Sequence, residues 1–302
     1  MENRSSAGIL ALLLASLLWG TTGTSASFLP HDVSPLAVGA STMGVGGLLL
    51  FASGPRLSIG VLRDVRARRW AVLGAVGVLV YPLAFYSAMS LAGVAVGNVV
   101  ALGSGPVFAA VFEWLGERHP LSRRWAVSTG LAVLGIACLA LGRQADSGGI
   151  PTGTLAGAGL GLLAGAAYAW YAYASSRAIR AGAPSRGAMG AMFGTGAVLL
   201  LPVLLLTGAP LLQSWATAGI AGYLAIGPMF IAYLLFGIGL RTVRSSSATT
   251  LTLLEPVVAT ILAVTVVGER LAPIGWCGLV LVLAGLAIMV TARRAPKMTV
   301  RL

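Results

Sequence analysis

Charge is scarce in this sequence. Asp, Glu, Lys and Arg make up 9% of its 302 residues, against roughly 25% in soluble domains, which excludes a water-soluble globular chain. Acidic residues number only 8, and there are two histidines and two cysteines. His31 and His119 stand alone, and Cys138 and Cys277 lie inside apolar runs. Neither pair offers metal-ligand spacing or a disulfide framework, so no metal or cofactor is expected. No nucleotide-binding motif occurs, so any energy for work must come from a substrate or ion gradient. No Lys or Arg falls deep within a predicted span, which argues against carriage of organic phosphates or nucleotide sugars.

What is abundant is apolar and small. Hydrophobic residues make up 57% of the chain, glycines number 41, and the mean hydropathy is +0.91. Small side chains let transmembrane helices approach closely and gain van der Waals contact. The length suits roughly ten spans of about 20 residues with short loops, leaving no room for a separate aqueous domain. A sensory or scaffold protein, which needs such a segment, is disfavoured.

The apolar runs predict ten helices: Gly8–Phe28, Pro35–Ala52, Trp70–Leu91, Val94–Leu115, Trp125–Leu141, Gly153–Ile179, Gly187–Leu206, Ala216–Leu240, Ser246–Val267 and Pro273–Thr291. We refer to these as spans 1 to 10. Span 1 is not read as a cleaved secretory signal, because its removal would leave an odd half without a counterpart. A net charge of +12 would suggest nucleic acid in a soluble chain, but the positions of the charges explain it better. With the N-terminus inside, 18 of the 20 Lys and Arg fall in cytoplasmic segments, and only Arg143 and Arg270 fall outside. Cytoplasmic loops retain positive charge, so both termini are expected in the cytoplasm, with anionic lipid head groups as a secondary contact.

One stretch occurs twice. Pro106 opens an apolar run that closes on Gly116-Glu117-Arg118, and Pro256 opens one that closes on Gly268-Glu269-Arg270. The starts are 150 residues apart. Ala15-Ser-Leu-Leu-Trp19-Gly20 in span 1 matches Ala164-Gly-Ala-Ala-Tyr168-Ala169 in span 6, and Pro82 in span 3 matches Pro228 in span 8. Residues 1–148 and 149–302 are therefore predicted to be two five-helix repeats. Because five crossings are odd, the second half enters from the opposite side and the repeats are inverted, an arrangement suited to alternating access. Pro82, Pro106, Pro228 and Pro256 are the expected kinks or hinges.

The duplicated proline-to-Gly-Glu-Arg run, the five-plus-five arrangement and the glycine-rich last span (Gly275, Gly278, Gly285) resemble the EamA-type branch of the drug/metabolite transporter superfamily. The tyrosine-rich spans look most like YddG-type exporters of aromatic amino acids and methionine. The resemblance implies an all-α inner-membrane exporter with a central cavity between two inverted five-helix repeats. Its expected partners are a small-molecule substrate and membrane lipid, not nucleic acid, and the chain is expected to be a monomer or weak homodimer. Small four-helix exporters of the superfamily carry a Glu in their first span. Here Trp19 lies among Leu, Gly and Thr, so that chemistry does not transfer.

All seven tyrosines fall in predicted spans. Tyr173 and Tyr223, near span ends, read as interfacial anchors. Tyr81 and Tyr168 are near mid-span, where a hydroxyl facing lipid is costly. Tyr168 with Tyr171, and Phe230 with Tyr233, are spaced to present flat walls, either to substrate or to the protein core. Asn98, Thr249 and Thr252 offer hydrogen-bonding groups at depth, for an amino acid or for a neighbouring helix. Glu255 is the sharpest residue, eleven positions beyond Arg244 and fourteen before Glu269. At such depth a charge is expensive, so the group stays protonated, carries a coupling proton or meets a substrate ammonium. Glu113, one turn from Glu117, reads instead as interfacial. The expected cavity is thus Trp19, Tyr81, Asn98, Tyr168, Tyr171, Phe230, Tyr233, Thr249, Thr252 and Glu255.

Gly153, Gly157, Gly161 and Gly165 form a smooth face on span 6, for close packing or for sliding. Spans 5 and 10 are expected to flank the core or meet a second copy. Two other functions were weighed. A broader-range metabolite or drug exporter would use the same apolar cavity with less discrimination. An integral-membrane lipid enzyme would need convergent polar groups at one face, and only His119 with Glu117 beside an arginine cluster offers any.

Overall fold

The computed structural model describes residues 2–30, 32–92, 94–118, 121–144, 153–268 and 270–291. His31, His119, Glu269, the terminal Arg293, Arg294, Lys297 and Arg301, and the 148/149 division between the halves lie outside these. The described residues form helices and connecting turns, with no strand, and ten helical stretches are long and apolar enough to span a membrane. Lipid offers no partner to a backbone N–H or C=O, so a chain this apolar satisfies them within helices.

Five spans come from the first half: α1 (Glu2–Ala26), α2 (Pro35–Ala52), α4 (Val65–Ala92), α5 (Val94–Glu117) and α6 (Arg123–Gln144). The start of α2 is fixed by Ser34, whose hydroxyl accepts from the Ala37 N–H at 3.1 Å, with Pro35 in the first helical turn. Between α2 and α4 lies a short helix, α3 (Pro55–Arg63), where the sequence suggested only an arginine-rich loop. It is amphipathic: Ser58 and Val61 are buried, whereas Leu57 and Ile59 are exposed.

The second half has α7 (Thr154–Arg180), α8 (Ser185–Thr207) and α13 (Pro273–Thr291) as unbroken spans. Its other two spans are interrupted. The eighth runs as α9 (Trp215–Leu224), a π-helical stretch over Ala225–Ile231, and α10 (Ala232–Gly239). The ninth runs as α11 (Ser245–Leu251), a turn at Thr252 and Leu253, α12 (Leu254–Leu262) and a second π-helical stretch over Ala263–Val267. Pro228 lies inside the first π stretch, and Pro256 follows the turn. At Pro82 and Pro106 the helix runs on through the proline. The duplicated motif also ends differently in its two copies. In the first, Gly116 is helical and Arg118 takes the left-handed conformation at φ 50°; in the second, Gly268 takes it at φ 79°.

Glycine sets how close the spans come. The row on α7 lies against the first half: a Cβ at Gly157 would stand 2.5 Å from Ala92, and one at Gly161 3.0 Å from Val100. That is the close packing anticipated for the row. The fifth and tenth spans flank the bundle as a pair. Gly135 and Gly278 put α6 and α13 in backbone contact, and the Ser128 hydroxyl donates to the Gly285 carbonyl at 2.6 Å.

A Cβ at Gly278 would stand 2.5 Å from the Gly135 carbonyl oxygen, and nothing lies within 4 Å of one at Gly130. Gly278→Leu is expected to destabilise the protein by about 1–3 kcal/mol, the usual range for overpacking. Gly130→Ala should leave it unchanged or slightly more stable. Thermal unfolding in detergent checks both.

Candidate functional site

Between the halves lies a cavity that, counted with the open solvent at its mouth, takes in about 580 Å³ of space not filled by atoms. Six of the expected residues line it: Trp19 from α1, Tyr81 from α4, Tyr168 and Tyr171 from α7, Tyr233 from α10 and Glu255 from α12. Their rings pack on one another. Trp19 lies 5.0 Å from Tyr233, and Tyr81 lies 5.9 Å from Tyr168 and 5.8 Å from Tyr171. Three of the four tyrosine hydroxyls are fixed too: Tyr171 and Tyr233 share a 2.6 Å hydrogen bond, and Tyr168 shares one of 2.7 Å with Thr252.

The two helix interruptions border this space. Pro228 and Met229 line it from the π stretch, and Glu255 follows the turn in the ninth span. Among the described residues the Glu255 carboxyl makes no hydrogen bond or ion pair. Its partial exposure is toward the cavity it lines.

Four expected residues are not on the lining. Thr249 is fully buried and its hydroxyl donates to the Ser245 and Ser246 carbonyls at 2.9 and 3.0 Å. Thr252 stands behind the wall, donating to the Thr249 carbonyl and holding Tyr168. Spacing by threes put both with Glu255 on one face, but the turn at Thr252 and Leu253 breaks that face. Phe230 falls in the π stretch, whose wider turn takes it off the face of Tyr233. Asn98 packs elsewhere, with its Oδ1 buried and unpartnered.

The cavity also holds residues that sequence reasoning left out. Phe85 and Tyr86 extend the aromatic wall along α4; Tyr86 is four residues after Pro82, a helical spacing that would have found it. Thr42 of α2 is 8% exposed, and its hydroxyl has no partner. Of the two tyrosines read as anchors, Tyr223 is 41% exposed and bonded to the Thr21 hydroxyl at 2.7 Å. Tyr173 is instead only 3% exposed, packed edge-on against Trp70.

Comparison with known proteins gives this architecture a family. The sequence model of the EamA-like transporter family matches residues 6–141 and again residues 155–291. The chain belongs to the EamA-like transporter family. The EamA chain is 33% identical over 292 residues to the "Uncharacterized transporter YwfM" of Bacillus subtilis (strain 168), covering 95% of each protein. It is 28% identical to the "Threonine/homoserine exporter RhtA" of Escherichia coli (strain K12), covering 96% of this chain and 92% of that one. A crystal structure of a protein 24% identical superposes with a TM-score of 0.79, covering 96% of this chain and 98% of the other, and supports the fold. The EamA chain is thus a multi-pass membrane transporter rather than a lipid enzyme.

In this EamA transporter the loops carrying most arginines share one end of the bundle, and polar contacts join the halves there. Phe193 and Phe236, both fully buried, pack on Tyr233 of the cavity wall with ring centroids 4.4 and 6.0 Å away. Glu113 of α5, read from sequence as interfacial, is 3% exposed. Its Oε1 accepts from the Ser245 hydroxyl at 2.6 Å and the Ser246 N–H at 3.1 Å, and its Oε2 from the Ser246 hydroxyl at 2.7 Å. A carboxylate from one half thereby caps the first turn of α11 in the other, where unpaired N–H groups and the helix dipole favour negative charge. Glu117 adds an ion pair to Arg180 at 2.7 Å, and the Trp125 indole N–H donates to the Ser246 carbonyl at 3.3 Å. At the opposite end the described residues join the halves through Thr21 with Tyr223 and through the Ala272 N–H to the Gly142 carbonyl.

These placements are checkable by thiol labelling after Cys138 and Cys277 are replaced by Ala. Thr42→Cys should react with a small water-borne thiol reagent. Thr249→Cys, held behind the wall, should stay unreactive under the same conditions.

Proposed function

We propose that the chain is a secondary transporter that exports small neutral or aromatic amino acids, methionine among them, across the cytoplasmic membrane of a bacterium. The observation that carries this reading is the aromatic-walled cavity with one unpaired carboxyl between the halves. Flat rings suit an aromatic or thioether side chain, and Glu255 suits an ammonium. The threonine/homoserine exporter among the relatives supports an amino acid as cargo, and the tyrosine-rich lining supports the YddG-type specificity.

The proposed mechanism is alternating access by rocking of residues 1–148 against 149–302, with bending at Pro82, Pro106, Pro228 and Pro256. The arginine-rich end faces the cytoplasm, with both termini there. Glu113 acts as a latch: while it holds Ser245 and Ser246, the cytoplasmic end stays closed and the cavity belongs to the outer side. Rocking the other way requires that these hydrogen bonds open together. A second reading, a broader-range exporter, is favoured by the sparse polar lining, which discriminates weakly among apolar molecules.

Uptake of labelled phenylalanine, methionine and threonine into liposomes holding the purified protein tests the reading, with and without a pH gradient. Saturable uptake of at least one is expected. No saturable uptake of any would refute amino acid transport, and rates indifferent to the gradient would remove a coupled proton. Inhibition by unrelated apolar drugs as strong as by amino acids would favour the broader exporter.

A further inference from the structure

The cavity has a charged group for a cation and none for an anion, its unpaired hydroxyls being neutral and able to serve either. Trp19, Tyr81, Tyr168, Tyr171 and Tyr233 present ring faces, which attract an ammonium. Among the lining groups without a hydrogen-bond partner are the Glu255 carboxyl and the hydroxyl of Thr42, itself more than nine-tenths buried, together with the hydroxyls of Thr22, Tyr81 and Tyr86. No Lys or Arg is on the lining.

A substrate carboxylate would need another source of donors. The start of α12 is the natural candidate, since broken spans often turn a helix N-terminus toward an anion. Here that end is largely used. The Leu253 N–H donates to the Thr250 carbonyl at 3.1 Å, the Glu255 N–H donates to the Thr252 carbonyl at 3.0 Å, and Pro256 has no N–H, which leaves the N–H of Leu254. Glu255 itself supplies negative charge at that position.

Charge counting sharpens the contrast. An ionised Glu255 with an ammonium-bearing amine leaves the site neutral. The same Glu255 with a zwitterionic amino acid leaves one net negative charge in a low-dielectric cavity, where an unpaired charge is expensive.

We infer that the cavity recognises its substrate through the ammonium group and the apolar side chain, so that the α-carboxylate is dispensable and apolar or aromatic primary amines and amino acid amides are ligands of the same site. This rests on the cavity being the substrate site. It makes Glu255 the group that selects for the ammonium and Thr42 a second acceptor for it.

The test is calorimetric titration of the detergent-purified full chain with four compounds: L-phenylalanine, L-phenylalaninamide, phenethylamine and 3-phenylpropionate. The amide and the amine should bind at least as tightly as phenylalanine. The acid lacking the amine should bind more weakly than phenethylamine by about tenfold or more, the worth of one good charged contact. Glu255→Gln should weaken phenethylamine binding by a similar factor, and Thr42→Val by a smaller one. The ranking on the unaltered protein decides the matter if a variant fails to fold. Equal binding of 3-phenylpropionate and phenethylamine would overturn the inference, as would unchanged amine binding in a folded Glu255→Gln protein. Phenylalanine bound without phenethylamine would overturn it while leaving amino acid export standing. Phenethylamine bound without phenylalanine would uphold it and refute amino acid export. Binding of none of the four would overturn both.

Discussion

A carboxylate buried in a membrane protein must be paired, and the way Glu113 is paired governs how the two halves meet. Both of its oxygens are used, and all three donors belong to the first residues of α11. Each hydrogen bond to such a charged group contributes about 1.5–3 kcal/mol, and losing one partner leaves the others buried and unsatisfied. The contact is therefore all-or-none in character. Around it the Trp125 indole and the Glu117–Arg180 pair cross the same seam. One end of the bundle is consequently joined by polar contacts from both halves. Close packing of glycine faces at α7 against α4 and α5, and at α6 against α13, also joins one half to the other.

The cavity depends on this closed seam and on the two interrupted spans. A continuous helix has no spare backbone geometry. A π stretch or a turn redirects side chains, and both occur where the lining needs them, at Pro228 and just before Glu255. Inverted repeats thus give a scaffold of nearly matched halves, while the interruptions and the unpaired carboxyl belong to the second half alone. The tyrosine hydroxyls tie the wall together: Tyr171 with Tyr233 joins α7 to α10, and Tyr168 with Thr252 joins α7 to the turn in the ninth span. On the lining this leaves the Glu255 carboxyl and the hydroxyls of Thr22, Thr42, Tyr81 and Tyr86 without hydrogen-bond partners.

Much of this architecture was readable from the chain. Apolar runs located all ten spans to within a few residues, except that α1 starts at Glu2 rather than Gly8 and α4 at Val65 rather than Trp70. Residues placed by depth and bulk, such as Trp19, Tyr81 and Tyr168, proved to line the cavity because large amphipathic rings at mid-span have few other places to go. Depth does not give azimuth. Asn98, Thr249, Thr252 and Phe230 lie at suitable depths but face away, for Phe230 because of the π stretch and for the threonines because of the turn. The helix α3 was hidden by its five flanking and internal arginines, which read as a loop. Glu113 was misread for a different reason: proximity to a span end says nothing about the serines that fold back over it from 132 and 133 residues away.

The account's central claim is that the Glu113 contact holds the arginine-rich end shut. The most direct test labels Phe236→Cys, a fully buried position near the arginine-rich end of α10, in otherwise cysteine-free protein oriented in liposomes, using a membrane-impermeant thiol reagent applied at the arginine-rich end. Phe236→Cys should be nearly unreactive with Glu113 intact, and Glu113→Ala should raise its labelling rate by about tenfold or more, as loss of roughly 1.4 kcal/mol of closure would require. An unchanged rate in a folded Glu113→Ala protein would contradict the account.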